Sequence, residues 1–144
     1  MVCRLLAMNI DDDAIIAATF LHDVIEDCYK TIDDLPVDDE VKELVNLLTN
    51  EKVNDSNRPT MLKEYYTNIS NNPKASLIKL VDRCYKLTKM SWGLSRERIF
   101  RTIKETDIYI LPLLDVIKNT EYDNAKWLLS YQINTTLDIY KRLL

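Results

Sequence analysis

The chain has 144 residues, 47% hydrophobic and 29% charged, the balance of one soluble globular domain large enough to bury a sizeable core. A net charge of −4 argues against broad binding to a nucleic-acid backbone, and the longest apolar run, Ala14–Leu21, is too short to span a bilayer. The single glycine, Gly93, excludes glycine-rich phosphate loops and hairpin-rich β architecture, both of which need several glycines.

No basic-then-apolar leader is visible at the N-terminus, and Cys3, Cys28 and Cys84 form no CxxC pattern. Both observations point to a reducing, cytoplasmic setting. In chain order, Met1–Met8 reads as the end of a helix. Residues 9–13 form a turn whose aspartates supply N-cap chemistry for a long helix from about Asp12 to Cys28. An acidic linker, Thr31–Asp39, leads to a helix from about Asp39 to Thr49 with Val41, Leu44, Val45 and Leu48 on one face. Pro59 suits the first turn of the next helix, whose apolar side is Met61, Leu62, Tyr65, Tyr66 and Ile69, and Asn71-Asn72-Pro73 ends it.

A further helix runs from about Lys74 to Met90 and exits near Gly93. Ser95 caps another that reaches about Tyr109, and Pro112 restarts the chain, which is helical to about Lys118. The last helix opens near Asp123, with Trp127, Leu128, Tyr131, Leu137, Ile139 and Leu143 as its apolar residues. The pattern predicts an all-α bundle of roughly six or seven helices in one domain.

Two places set charge into this apolar pattern. At the end of the second helix, Leu21-His22-Asp23-Val24-Ile25-Glu26-Asp27 holds the only histidine of the chain with three carboxylates close by. Residues three and four apart share a helix face, so His22, Asp23, Glu26 and Asp27 cluster. Like charges at the C-terminal end of a helix are disfavoured unless a cation offsets them, and a divalent metal fits that need. The second place is Asp82, set in Leu77-Ile78-Lys79-Leu80-Val81-Asp82-Arg83. It needs a partner, and Arg83 points about 100° away around the helix. If these two helices pack together, His22, Asp23 and Asp82 give one imidazole and two carboxylates, a set suited to Mn²⁺, Fe²⁺ or Zn²⁺.

HDVIED followed at a distance by IKLVDR resembles the HD-domain superfamily of metal-dependent phosphohydrolases, and within it the RelA/SpoT-type alarmone hydrolases and their small stand-alone relatives. EVKELVNLLT (Glu40–Thr49) and RTIKET (Arg101–Thr106) are similar to the same branch. The resemblance implies that His22, Asp23 and Asp82 are metal ligands, with Mn²⁺ as the ion, and that Glu26 and Asp27 position and activate the attacking water. It places Arg98 near substrate phosphate. The implied reaction removes the 3′-pyrophosphate of guanosine 3′,5′-bis(diphosphate) or its 5′-triphosphate analogue, so the expected partner is a nucleotide, with neither nucleic acid nor membrane involved.

The chain departs from the family pattern at three positions. The fourth ligand is a histidine of the preceding helix, and by spacing it falls just before Met1, so the N-terminal helix is expected to be missing. Lys86 stands where the family has an asparagine that contacts substrate, a position from which it can meet a phosphate, and Tyr85 replaces a histidine. These departures motivate an alternative, a truncated or degenerate HD domain that binds nucleotide or a partner without turnover. An HD phosphohydrolase of another nucleotide is a further alternative. The bland readings make Lys79 and Arg83 a surface stripe, Arg96, Arg98 and Arg101 surface charges, and Tyr65, Tyr66 and Trp127 core or groove packing. Cys28 and Cys84 are read as small buried hydrophobes.

Overall fold

The computed structural model describes the backbone of residues 1–28, 31–50 and 54–144, and the side chains outside 23–30 and 51–53. Every regular element among the described residues is helical. In order these are α1 (Val2–Ala7), α2 (Asp13–Cys28), α3 (Asp39–Leu48), α4 (Arg58–Ser70), α5 (Pro73–Lys89), α6 (Arg96–Glu105), α7 (Leu113–Val116) and α8 (Asp123–Leu143). No described helix is long and apolar enough to cross a membrane.

Local chemistry sets the boundaries. Asp12 Oδ1 accepts from the Ile15 amide at 3.0 Å and opens α2. The Asn72 side chain accepts from the amides of Lys74 and Ala75 at 3.0 and 3.1 Å, and Pro73 occupies the first turn of α5. Ser95 Oγ accepts from the Arg98 amide at 3.3 Å and opens α6. Asn9, at φ 59°, reverses the chain between α1 and α2, a conformation asparagine tolerates better than most residues.

The bundle is centred on α5 rather than on α2. Leu77, Ile78, Leu80, Val81, Cys84 and Leu87 of α5 are all buried, because α2, α3, α4, α7 and α8 pack around it. The α3 face Val41, Leu44, Val45 and Leu48 is buried as its spacing predicts. The helix expected to reach Tyr109 instead stops as α-helix at Glu105 and continues as a π-helical turn over Thr106–Ile110, with the Leu111 amide bonding the Thr106 carbonyl at 3.0 Å. Pro112 follows directly and has no amide proton with which to extend the ladder.

The last helix corrects the sequence reading. Its buried side is Ala125, Leu129, Ile133 and Leu137, while Trp127 is 67% exposed and Leu128, Tyr131, Ile139 and Leu143 are exposed with it. The buried set recurs every four residues, and Trp127, Tyr131, Ile139 and Leu143 fall on a second row of the same period interrupted by Thr135, so each row can be read as an apolar face. The smaller side chains allow the closer approach to α5.

Candidate functional site

His22 lies on the buried side of α2. Its Nδ1 is 2.9 Å from the Thr19 carbonyl oxygen. A carbonyl oxygen accepts but does not donate, so the proton sits on Nδ1, and in the neutral ring the lone pair is on Nε2. Thr19 is held in turn by its hydroxyl, which donates to the Ile15 carbonyl at 2.7 Å. A ring N–H anchored on a backbone carbonyl is how a ligating imidazole is oriented in metal sites.

Asp82 approaches from α5. Its side chain is 31% exposed, and Lys79, one turn earlier, is 3.2 Å from Oδ2. Burial pushes the Asp82 carboxyl up, but Lys79 opposes this by charge and hydrogen bond, and His22 and Arg83 add to the opposition. The net result holds Asp82 below the ordinary carboxylate value. The action of His22 on Asp82 means that two residues sixty positions apart share one electrostatic neighbourhood across the α2–α5 contact. Burial also works against the Lys79 ammonium, yet Asp82 outweighs it with help from Tyr65 and Tyr66, and the Lys79 pKa is raised. Lys79 also lies 5.5 Å from the centre of the Tyr65 ring.

Lys79 and Arg83 are therefore not a surface stripe. Arg83 is buried at 6% exposure. One of its terminal nitrogens donates to Thr106 Oγ1 at 3.1 Å and to the Thr102 carbonyl at 3.4 Å, and the other donates to the Tyr66 hydroxyl at 3.1 Å. Its Nε has no partner among the described residues. The acceptors come from α4, α6 and the π-helical turn, so this one guanidinium ties three elements to the residue beside Asp82. Tyr66 is itself stacked on Tyr109 at 5.2 Å. Sequence spacing could have revealed Lys79 as the i−3 partner of Asp82, whereas the cradle around Arg83 depends on tertiary packing.

Lys86 is exposed and belongs to the same neighbourhood. Burial, then the like charges of Arg83 and Lys79, hold its pKa below the ordinary lysine value, against the pull of Asp82 and Glu105. Arg98 is exposed in the first turn of α6. Among the described residues no hydrogen bond or ion pair joins its side chain to His22, Asp82 or Lys86. Arg58 reaches Glu105 through Nη2 at 2.9 Å and pins α4 to the end of α6.

Of the five expected metal and water-activating residues, His22 and Asp82 are described, while the side chains of Asp23, Glu26 and Asp27 lie outside the described residues. Among the described residues no three His, Cys, Asp or Glu side chains form a metal-binding group. The two donors in view fit a divalent ion in kind, an imidazole Nε2 and a carboxylate. The same carboxylate already has the Lys79 ammonium beside it. Compared with known proteins, the chain matches no family model, no curated protein and no solved structure.

Proposed function

We propose that this chain is a metal-dependent phosphohydrolase that releases pyrophosphate from the 3′ position of guanosine 3′,5′-bis(diphosphate) and its 5′-triphosphate analogue. The observation that supports the reading is the packing of α2 against α5, through which His22 acts electrostatically on Asp82, with the imidazole oriented by the Thr19 carbonyl and the Asp82 carboxyl held below its ordinary value, chiefly by Lys79. In this proposal His22 and Asp82, together with Asp23, hold Mn²⁺, and Glu26 and Asp27 manage the water proton. When bound, such an ion supplies a water of lowered pKa and a polarised phosphoryl oxygen. Lys86 presents positive charge beside the site for a substrate phosphate, and its pKa is held down first by burial and then by the like charges of Arg83 and Lys79, the part that a bound anion would relieve. Arg98, exposed in the first turn of α6, is the other candidate for a phosphate contact.

The test is pyrophosphate release from the bis(diphosphate) nucleotide with saturating Mn²⁺, using the wild-type chain and Asp82→Ala. Turnover by wild type with a loss of at least 100-fold in the variant supports the reading. Equal rates refute it. A second reading, nucleotide binding without turnover, is favoured by the Lys79 ammonium against Asp82 and by the single histidine. Calorimetry that shows nucleotide bound by wild type while no pyrophosphate appears selects this second reading.

A further inference from the structure

Arg4 is a cation without an anion. It is half-buried where α1 meets α5 and α8, and its guanidinium donates only to neutral acceptors. Nη1 donates to Gln132 Oε1 at 3.2 Å and to Cys84 Sγ at 3.6 Å, and Nη2 to Thr88 Oγ1 at 3.4 Å. The bonds to oxygen are long beside the roughly 2.7–2.9 Å of an arginine on a carboxylate. Among the described residues no carboxylate pairs with Arg4, whereas Arg58, Lys74 and Lys141 each face one. A partly desolvated guanidinium held this loosely favours an anion brought from outside.

Arg4 stands in the wall of a groove of about 530 Å³ between α1 and α8, a volume in the range of small-molecule sites. Ala7 and Met8 share its face of α1, and Leu128, Gln132 and Thr135 share one face of α8. Met8 and Leu128 also bound the neighbouring cavity with Tyr122 and Ala125, so the end of α1 lies toward the start of α8. The groove therefore has an apolar end at Ala7, Met8 and Leu128. One helical turn along α8, Arg4 meets Gln132, and the Thr135 hydroxyl follows, about 10 Å of helix in all. Arg4 is the one charged residue among the described residues lining the groove. A single cation matches a single negative charge, a carboxylate rather than a dianionic phosphate, and the planar fork of arginine can hold both carboxylate oxygens. We infer that the α1–α8 groove binds a small monocarboxylate with a short apolar tail, its carboxylate on Arg4 and its tail against Ala7, Met8 and Leu128. Neither His22 nor Asp82 lines this groove, so the assignment stands apart from the phosphohydrolase reading.

Methyl NMR of the full chain titrated with hexanoate tests this. Saturable shifts of the Met8 and Leu128 methyls are expected with a dissociation constant of about 1 mM, the scale open to a ligand of about eight heavy atoms. Hexanamide, uncharged and of the same shape, should bind about 5-fold more weakly, and Arg4→Met should remove that preference for the acid. Leu128→Asp, at an exposed position, should keep wild-type circular dichroism and abolish the Met8 shifts. Lys86→Met, altered at the proposed nucleotide site, should bind hexanoate as wild type does. The assignment is overturned by the absence of shifts at about 20 mM hexanoate, by equal affinity for acid and amide, or by a preference for the acid that survives Arg4→Met. Binding retained by Leu128→Asp or lost in Lys86→Met overturns it equally.

Discussion

Replacing Lys79 by methionine removes one charge while keeping most of the side-chain volume, so its effect isolates the Lys79–Asp82 pair. A solvent-exposed pair contributes at most about 1 kcal/mol, whereas breaking a buried one costs about 3–5 kcal/mol. With Lys79 at 17% and Asp82 at 31% side-chain exposure, an intermediate loss of about 2 kcal/mol is expected at neutral pH. The pH dependence follows from linkage. The folded Asp82 pKa is depressed, so its contribution is present above the unfolded value near 3.8 and fades as pH falls through the lower folded value. The folded Lys79 pKa is raised, so its contribution is present below the unfolded value of 10.5 and fades only as pH rises through the higher folded value. Urea denaturation of wild type and Lys79→Met should therefore differ by about 2 kcal/mol at pH 7, and the gap should close as pH falls through the depressed folded value of Asp82. Mn²⁺ should also raise the stability of the variant more than that of wild type, because Asp82 no longer has the ammonium beside it. A gap that does not narrow at all as the pH is taken progressively below the unfolded value near 3.8 would refute the pairing argument.

Arg83→Ala should cost about 3 kcal/mol in urea denaturation, since it leaves the buried Tyr66 hydroxyl without its donor and opens a cavity. Arg83→Lys should recover less than half of that, because one ammonium cannot reach acceptors on three elements. Asn72→Ala should lower stability by about 1 kcal/mol through loss of the α5 cap. Asn72→Asp should retain the cap and gain from the helix dipole, both effects being read as shifts in Tm.

Local signals in the chain were sufficient for its helical class and most of its boundaries. Asn72-Pro73 and Ser95 act on amides within three residues, and α3 carries a single apolar face that admits one orientation. The face of α8 was not legible, because two apolar rows of equal period compete and only the volume available against α5 decides between them. The π-helical turn after Glu105 was equally hidden, since Thr106–Ile110 continues a helical pattern and the anchor of Thr106 to Arg83 is tertiary. In the site, helical spacing could group His22 only with its neighbours on α2, and Asp82 was joined to them by supposing that the two helices pack and by the resemblance, since no local pattern links residues sixty positions apart. The fate of Arg83 was misjudged because its acceptors, Tyr66, Thr102 and Thr106, lie elsewhere in the chain and carry no charge to suggest a pairing.

The presence of a single histidine makes the central claim directly measurable. In a ¹⁵N–¹H spectrum of the imidazole, His22 should report a proton on Nδ1, held by the Thr19 carbonyl, and Mn²⁺ should broaden this one ring at concentrations that leave Asp82→Asn unaffected. A ring protonated on Nε2, or identical broadening in the two proteins, would contradict a shared cation site.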